Sequence, residues 1–147
     1  AVKRNGCALE FIGEQTSELC LIAVRNSGQA LRFVKNQTPE LCLEAVKKAG
    51  EILYCVENQT PELCLEAVKQ NWRALQYVKE QTPKICLIAV QQDGHALRYV
   101  KEQTPELCLI ATALTHDAFV HIKKEIIDDC IASCKLKKID SISHTVV

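Results

Sequence analysis

Two helical rhythms of apolar and polar residues recur along this chain in a fixed order. Within residues 38–59, TPELCLEAVKKAGEILYCVENQ, Leu41, Cys42, Ala45 and Val46 stand at i, i+1, i+4 and i+5. That spacing predicts one apolar face of an α-helix. Thr38 is a favoured N-cap, and Pro39 suits the first helical position, where its missing N–H costs nothing. Glu40 falls where the helix dipole favours a negative charge, and Lys47 and Lys48 suit the last turn. Gly50 reads as the left-handed residue that ends this helix. A shorter helix follows over roughly residues 51–58, with Ile52, Leu53 and Val56 facing inward. Leu43 and its equivalents Leu21, Leu65, Leu87 and Leu109 widen the first helix's apolar arc, as expected where a helix touches units on both sides.

The whole pattern repeats. Thr16, Thr38, Thr60, Thr82 and Thr104 are each 22 positions apart, and Cys20, Cys42, Cys64, Cys86, Cys108 and Cys130 keep the same step. A fixed period of this size marks an array in which each unit buries its apolar face against its neighbours. Isolated helices under ~12–15 residues are marginal in water, so stacking must hold these. The predicted fold is an all-α, right-handed α-solenoid of 22-residue helix-turn-helix repeats. Residues 1–111 are read as the tandem repeats. Ala1-Val2 aligns with Ala23-Val24, so the first unit is truncated and the chain is expected to be a piece of a longer protein. After Ala111 the Thr-Pro pair is lost and Lys135, Lys137 and Lys138 bring charge, so residues 112–138 read as a degenerate C-terminal capping unit. Residues 139–147 are expected to be a flexible tail.

Positions that stay constant between units show what the stack demands. Gln15, Gln37, Gln59, Gln81 and Gln103 each precede a threonine. A repeated amide in an inter-helix turn is expected to bond the backbone of its own or the adjacent unit, because turn backbone needs partners. The cysteine row is read as structural. Packed helices lie ~8–10 Å apart, whereas a disulfide needs Cα atoms within ~7 Å, so Cys42, Cys64, Cys86 and Cys108 are predicted to be small buried apolar residues. A reducing compartment, the cytoplasm, follows as the expected location.

Composition narrows the functional classes. The 147 residues are 48% hydrophobic, enough for a substantial core, and 18 basic residues cancel 18 acidic ones. That balance removes the usual electrostatic case for nucleic acid. No apolar run approaches the ~20 residues of a membrane span, and nothing at the N-terminus reads as a signal peptide.

The string TPELCLEAVK followed by GHALRYVKEQ resembles a family of short helical repeats catalogued as a domain of unknown function, found in tandem in amoeba-associated and other intracellular bacteria, protists and giant viruses. The match covers 1–111 and carries no catalytic signature. What the resemblance implies is a tandem array, with a secreted effector acting in a host cytosol as the associated context.

Candidate chemistry is sparse. Asp117, His121, Glu125 and Asp128 stand at steps of four, four and three, as though on one helical face, but match no metalloprotease spacing. No catalytic residue, metal ligand or cofactor is expected. Trp72 replaces the glycine of Gly28, Gly50 and Gly94, and with Arg73 it reads as an interface anchor at an exposed turn. Ile22, Ile88 and Ile110, with Glu44 and Glu66 between them, read as a near-surface row with two apolar patches. Lys35, Lys79, Lys101 and Lys123 form a second row, an edge for an acidic partner. The expected function is a non-enzymatic protein–protein interaction module, with self-association through the open N-terminal end around Leu9 and Ile12. The alternatives are a targeting or regulatory segment of a larger enzyme, or a nucleic-acid-binding helical repeat.

Overall fold

The computed structural model of the chain describes residues 6–134. Five α-helices of 10 residues run over Ser17–Asn26 (α1), Pro39–Lys48 (α2), Pro61–Gln70 (α3), Pro83–Gln92 (α4) and Pro105–Leu114 (α5). Between and around them lie 3₁₀ helices at Gly6–Phe11 (η1), Gly28–Phe33 (η2), Gly50–Cys55 (η3), Trp72–Tyr77 (η4), Gly94–Tyr99 (η5) and His116–His121 (η6). A short turn at Lys124–Ile126 leads into a helix over 127–134. Each α-helix packs on the next α-helix and on the 3₁₀ helix at either side of it, and each 3₁₀ helix packs on the next. The result is a linear stack of two layers, one α and one 3₁₀.

The α-helices start as their residues dictate. Each threonine hydroxyl accepts from the backbone N–H three residues on, at 3.3 Å in all five units. Pro39, Pro61, Pro83 and Pro105 take the first helical position. Leu41, Cys42, Ala45 and Val46 are buried, as are their equivalents in α3 and α4. The leucines that follow each cysteine are less enclosed than expected: Leu43 is exposed, and Leu21, Leu65, Leu87 and Leu109 are half-buried. This leucine stands at the edge of the buried arc, where Leu21, Leu65 and Leu87 still pack against the core.

The end of each helix differs from the sequence expectation. No residue among those described has a positive φ, so Gly50 is not a left-handed terminator. The helix ends one residue earlier, at Ser27, Ala49, Asn71, Asp93 or Thr115, each in extended conformation. The glycine is needed for space. A Cβ on Gly28, Gly50 or Gly94 would lie 2.6, 2.4 or 2.4 Å from the carbonyl oxygen of Ala45, Ala67 or Ala111 in the next unit. Trp72 occupies the same register. There Gln92 Nε2 donates to Val68 O at 2.6 Å, satisfying a carbonyl at the end of α3.

The second helix is 3₁₀ throughout, not two turns of α-helix. Bonds run from residue i+3 to residue i, as in Ala30 N to Ser27 O (2.9 Å) and Val34 N to Leu31 O (3.0 Å). Side chains three apart eclipse in this geometry, which aims Leu31 with Val34, and Leu53 with Val56, into the core. Runs of this length are uncommon on their own, and these persist because α-helices on two sides bury them.

At the two ends the packing of the stack continues into η1 and η6. Leu9 is wholly buried within one chain rather than partly bare, whereas Ile12 is half-buried and Phe11 beside it is exposed. The boundary expected at residue 111 falls inside α5, and η6 keeps the repeat geometry with Ala118 fully buried at the position of Ala96. Residues 135–138 of the expected cap, and the tail at 139–147, lie outside the described residues.

Burial and steric contact make the energetic ranking testable by urea denaturation. Leu75→Ala removes a fully buried side chain and should cost ~2–5 kcal/mol. Gly50→Ala should cost ~1–3 kcal/mol by overpacking against Ala67 O. Gly13→Ala, which meets nothing within 4 Å, and Lys69→Ala should each change stability by less than ~0.5 kcal/mol. A harmless Gly50→Ala would mean that the units do not approach this closely.

Candidate functional site

The turn between each 3₁₀ helix and the next α-helix is held by the constant glutamine. Gln59 Nε2 donates to Leu53 O (3.2 Å) in its own unit and to Tyr77 O (3.0 Å) in the next. Its Oε1 accepts from Lys79 N (3.0 Å) of that same next unit. Gln81 repeats the set with Leu75 O (3.2 Å), Tyr99 O (2.8 Å) and Lys101 N (2.9 Å). Gln103 does so with Leu97 O (2.9 Å), His121 O (2.8 Å) and Lys123 N (2.9 Å). Gln15 bonds Leu9 O, Phe33 O and Lys35 N likewise, and Gln37 bonds Cys55 O and Glu57 N. Gln15, Gln59, Gln81 and Gln103 therefore serve both their own unit and the one after it, and Gln37 ties to the one after it.

The cysteines belong to this ladder. Sγ of Cys42, Cys64 and Cys86 lies 3.6 Å from the Oε1 of Gln37, Gln59 and Gln81, placed to donate a weak S–H bond. Burial pushes all three thiols up from their ordinary value, so they stay protonated and keep the donor. Cys108 is pushed up to about 12 by burial, with the neighbouring Cys130 thiol adding to the effect. The position is thus a buried donor as well as an apolar filler, a role that residue type alone did not reveal. Eight cysteines among the described residues are free thiols.

The lysine row makes a third set of ties. Lys35 Nζ donates to Gly13 O (3.0 Å), Lys79 Nζ to Glu57 O (2.9 Å) and Lys101 Nζ to Lys79 O (2.6 Å), each reaching one unit back. Lys123 Nζ reaches Lys101 O in the same way. These ammonium groups fasten the turns of the stack, and all four lysines are exposed.

The expected partner-binding residues fall on two layers. Ile22, Ile88 and Ile110 are half-buried on α1, α4 and α5. Ile110 with Leu87, Leu107 and Pro83 lines a groove of about 490 Å³ between α4 and α5. Glu44 in the same row pairs with Arg25 at 3.2 Å. Trp72 and Arg73 belong to the 3₁₀ layer. The indole is half-buried, packed against the core and 6.0 Å from the Tyr99 ring, with the Arg73 guanidinium 4.5 Å over it. It is not the free indole of an exposed turn.

Asp117 and His121 lie in η6, Glu125 in the following 3₁₀ turn and Asp128 in the helix after that. Extended residues Ile122 and Lys123 separate them, so they share no helical face. Among the described residues no three His, Cys, Asp or Glu side chains converge to hold a metal, and no helix is long and apolar enough to cross a membrane. His121 instead stands edge-on to His95, with ring centroids 5.4 Å apart, and its buried Nε2 has no hydrogen-bond partner.

Two windows, residues 38–82 and 60–104, match the family described as Domain of unknown function (DUF4116), the second displaced from the first by one unit. The two windows overlap in tandem, as a repeated unit would place them. No curated protein and no solved structure matches the chain.

Two outcomes follow from this geometry. Gln59→Leu strands Leu53 O, Tyr77 O and Lys79 N, and each stranded group costs ~1–3 kcal/mol where water cannot replace the bond. A loss of ~2–4 kcal/mol is expected for this half-buried turn, against less than ~0.5 kcal/mol for the exposed Gln91→Leu, read by urea denaturation. His121 is lowered from 6.5 by burial first, then by Arg98 and His95. The unfolded chain therefore takes up its proton first as pH falls. The stabilising contribution is complete above the unfolded value and is lost as pH drops towards the folded one. Melting temperature between about pH 7 and pH 5 should fall less steeply in His121→Gln than in the parent, and parallel curves would rule out the shift.

Proposed function

We propose that this chain is a non-enzymatic protein–protein interaction module, built as a right-handed α-solenoid that works in a reducing compartment. The observation that carries the reading is the division of labour between positions. Threonine, glutamine, cysteine, alanine and valine recur and are consumed by capping, bonding and packing within the stack. The side chains that vary between units project from both layers, and Trp72 and Arg73 stand among them. Repeat arrays use such surfaces for extended recognition. Free thiols throughout the described residues support the compartment.

Cross-linking and mass spectrometry should recover a discrete protein partner, and Trp72→Gly then tests the surface. Glycine is the repeat's own residue at this position, so the fold should survive, with the melting temperature lowered by the loss of an indole that packs against the core. Affinity should fall at least tenfold, the factor that ~1.4 kcal/mol produces. Unchanged affinity would make Trp72 a packing residue and move the search to Ile22, Ile88 and Ile110, through Ile88→Asp.

A further inference from the structure

All seven aromatic residues of the chain, counting Phe, Tyr and Trp, lie in the 3₁₀ helices, and the α-helices have none. Phe11, Phe33, Tyr54, Trp72, Tyr77, Tyr99 and Phe119 are distributed over η1 to η6. Rings of successive units touch, Tyr54 with Tyr77 at 5.7 Å and Trp72 with Tyr99 at 6.0 Å.

Three arginines overlie this layer, each on the ring beside it in sequence. Arg32 lies 5.2 Å from the Phe33 centroid, Arg73 4.5 Å from Trp72 and Arg98 5.3 Å from Tyr99. All three are exposed. Arg25 on the α layer pairs with Glu44 at 3.2 Å, whereas no ion pair joins Arg32, Arg73 or Arg98 to a carboxylate among the described residues. From η2 to η5 the 3₁₀ helices carry these three arginines against one carboxylate, Glu51, which accepts from Asn71 Nδ2 at 2.9 Å. The chain's zero net charge therefore hides a basic, aromatic face.

We infer that this 3₁₀ face docks an extended acidic segment of a partner protein, whose carboxylates take the outward edges of Arg32, Arg73 and Arg98. A guanidinium laid on a ring has its plane occupied but keeps its N–H fork, and that fork matches a carboxylate in bidentate geometry. Holding the arginine on the ring also lowers the ordering cost of binding. Nucleic acid fits this face less well. Base stacking needs open ring faces, whereas from η2 to η5 arginines or neighbouring rings lie against Phe33, Tyr54, Trp72, Tyr77 and Tyr99. The lysines that could follow phosphates are tied to main-chain carbonyls on the turn edge. Units packed ~8–10 Å apart and an extended chain advancing ~3.3 Å per residue place the acidic residues about three apart for Arg73 and Arg98 in adjacent units, and about six apart for Arg32 and Arg73, two units apart.

The inference rests on the protein-binding reading and is tested separately from it. The probe is a fluorescein-labelled peptide with glutamate at every third position, followed by polarisation. Beside it stand the lysine counterpart and a labelled oligouridylate. The glutamate peptide should bind, weaken as salt rises, and lose at least tenfold in affinity with Arg73→Gln combined with Arg98→Gln. Lys47→Gln on the α layer should have no effect. If the double glutamine variant unfolds, Arg73→Lys with Arg98→Lys keeps the charge and removes the fork, and weaker binding is again expected. Absent binding of the glutamate peptide, equal binding of the lysine peptide, or indifference to the arginine changes would overturn the inference. Tighter binding of the oligouridylate would overturn it in favour of nucleic acid. A Trp72-dependent protein complex together with a silent glutamate peptide would end this inference and leave the broader reading standing.

Discussion

A side-chain amide that bonds two units at once is the constraint on which the rest of the stack depends. Each 3₁₀ helix ends with backbone groups that its own unit cannot satisfy. The glutamine of the preceding unit supplies both a donor and an acceptor for them, through Tyr77 O and Lys79 N in the case of Gln59. The thiol of the same unit approaches the amide oxygen from the core side. Neither half of the arrangement is complete without its neighbour, so order in one unit favours order in the next. That is the one-dimensional coupling expected of repeat proteins, located here in a particular side chain.

The ladder also sets how closely units approach. Bonds of 2.7 to 3.2 Å from one turn to the next leave the start of each 3₁₀ helix against the end of the following α-helix. Glycine is the residue that fits there. The second helix adopts 3₁₀ geometry under the same pressure, since six residues must bridge two α-helices with one apolar edge. Trp72 shows the tolerance of the plan, with Gln92 bonding a carbonyl across the seam beside it.

Charge and aromatic content are sorted by layer in a way that whole-chain composition conceals. Glutamates at the helix starts and the Glu44 and Glu66 positions sit on the α layer, while the rings and three arginines sit on the 3₁₀ layer. An argument from net charge alone treats these as cancelling. They are separated by the thickness of the stack, so a partner docked on η2 to η5 meets three arginines against one carboxylate, whereas the α layer sets Arg25, Lys47 and Lys69 beside its glutamates.

The sequence by itself determined the period, the α-helices and their N-caps, because threonine, proline and the i, i+1, i+4, i+5 pattern act within a single turn of chain. It determined that Gln37, Gln59, Gln81 and Gln103 were structural, since a constant polar residue in a turn has backbone to satisfy. Tertiary structure decided what depends on neighbours. Gly50 was misread as a left-handed terminator because its need for space comes from Ala67 O, 17 residues away in the sequence. The second helix was misread as α because the packing that favours 3₁₀ lies in adjacent units. The carbonyl ties of the lysine row are likewise a tertiary matter, because their partners lie one unit back. The aromatic layer was present residue by residue in the sequence, yet it became a face only when stacking brought residues one repeat apart into contact.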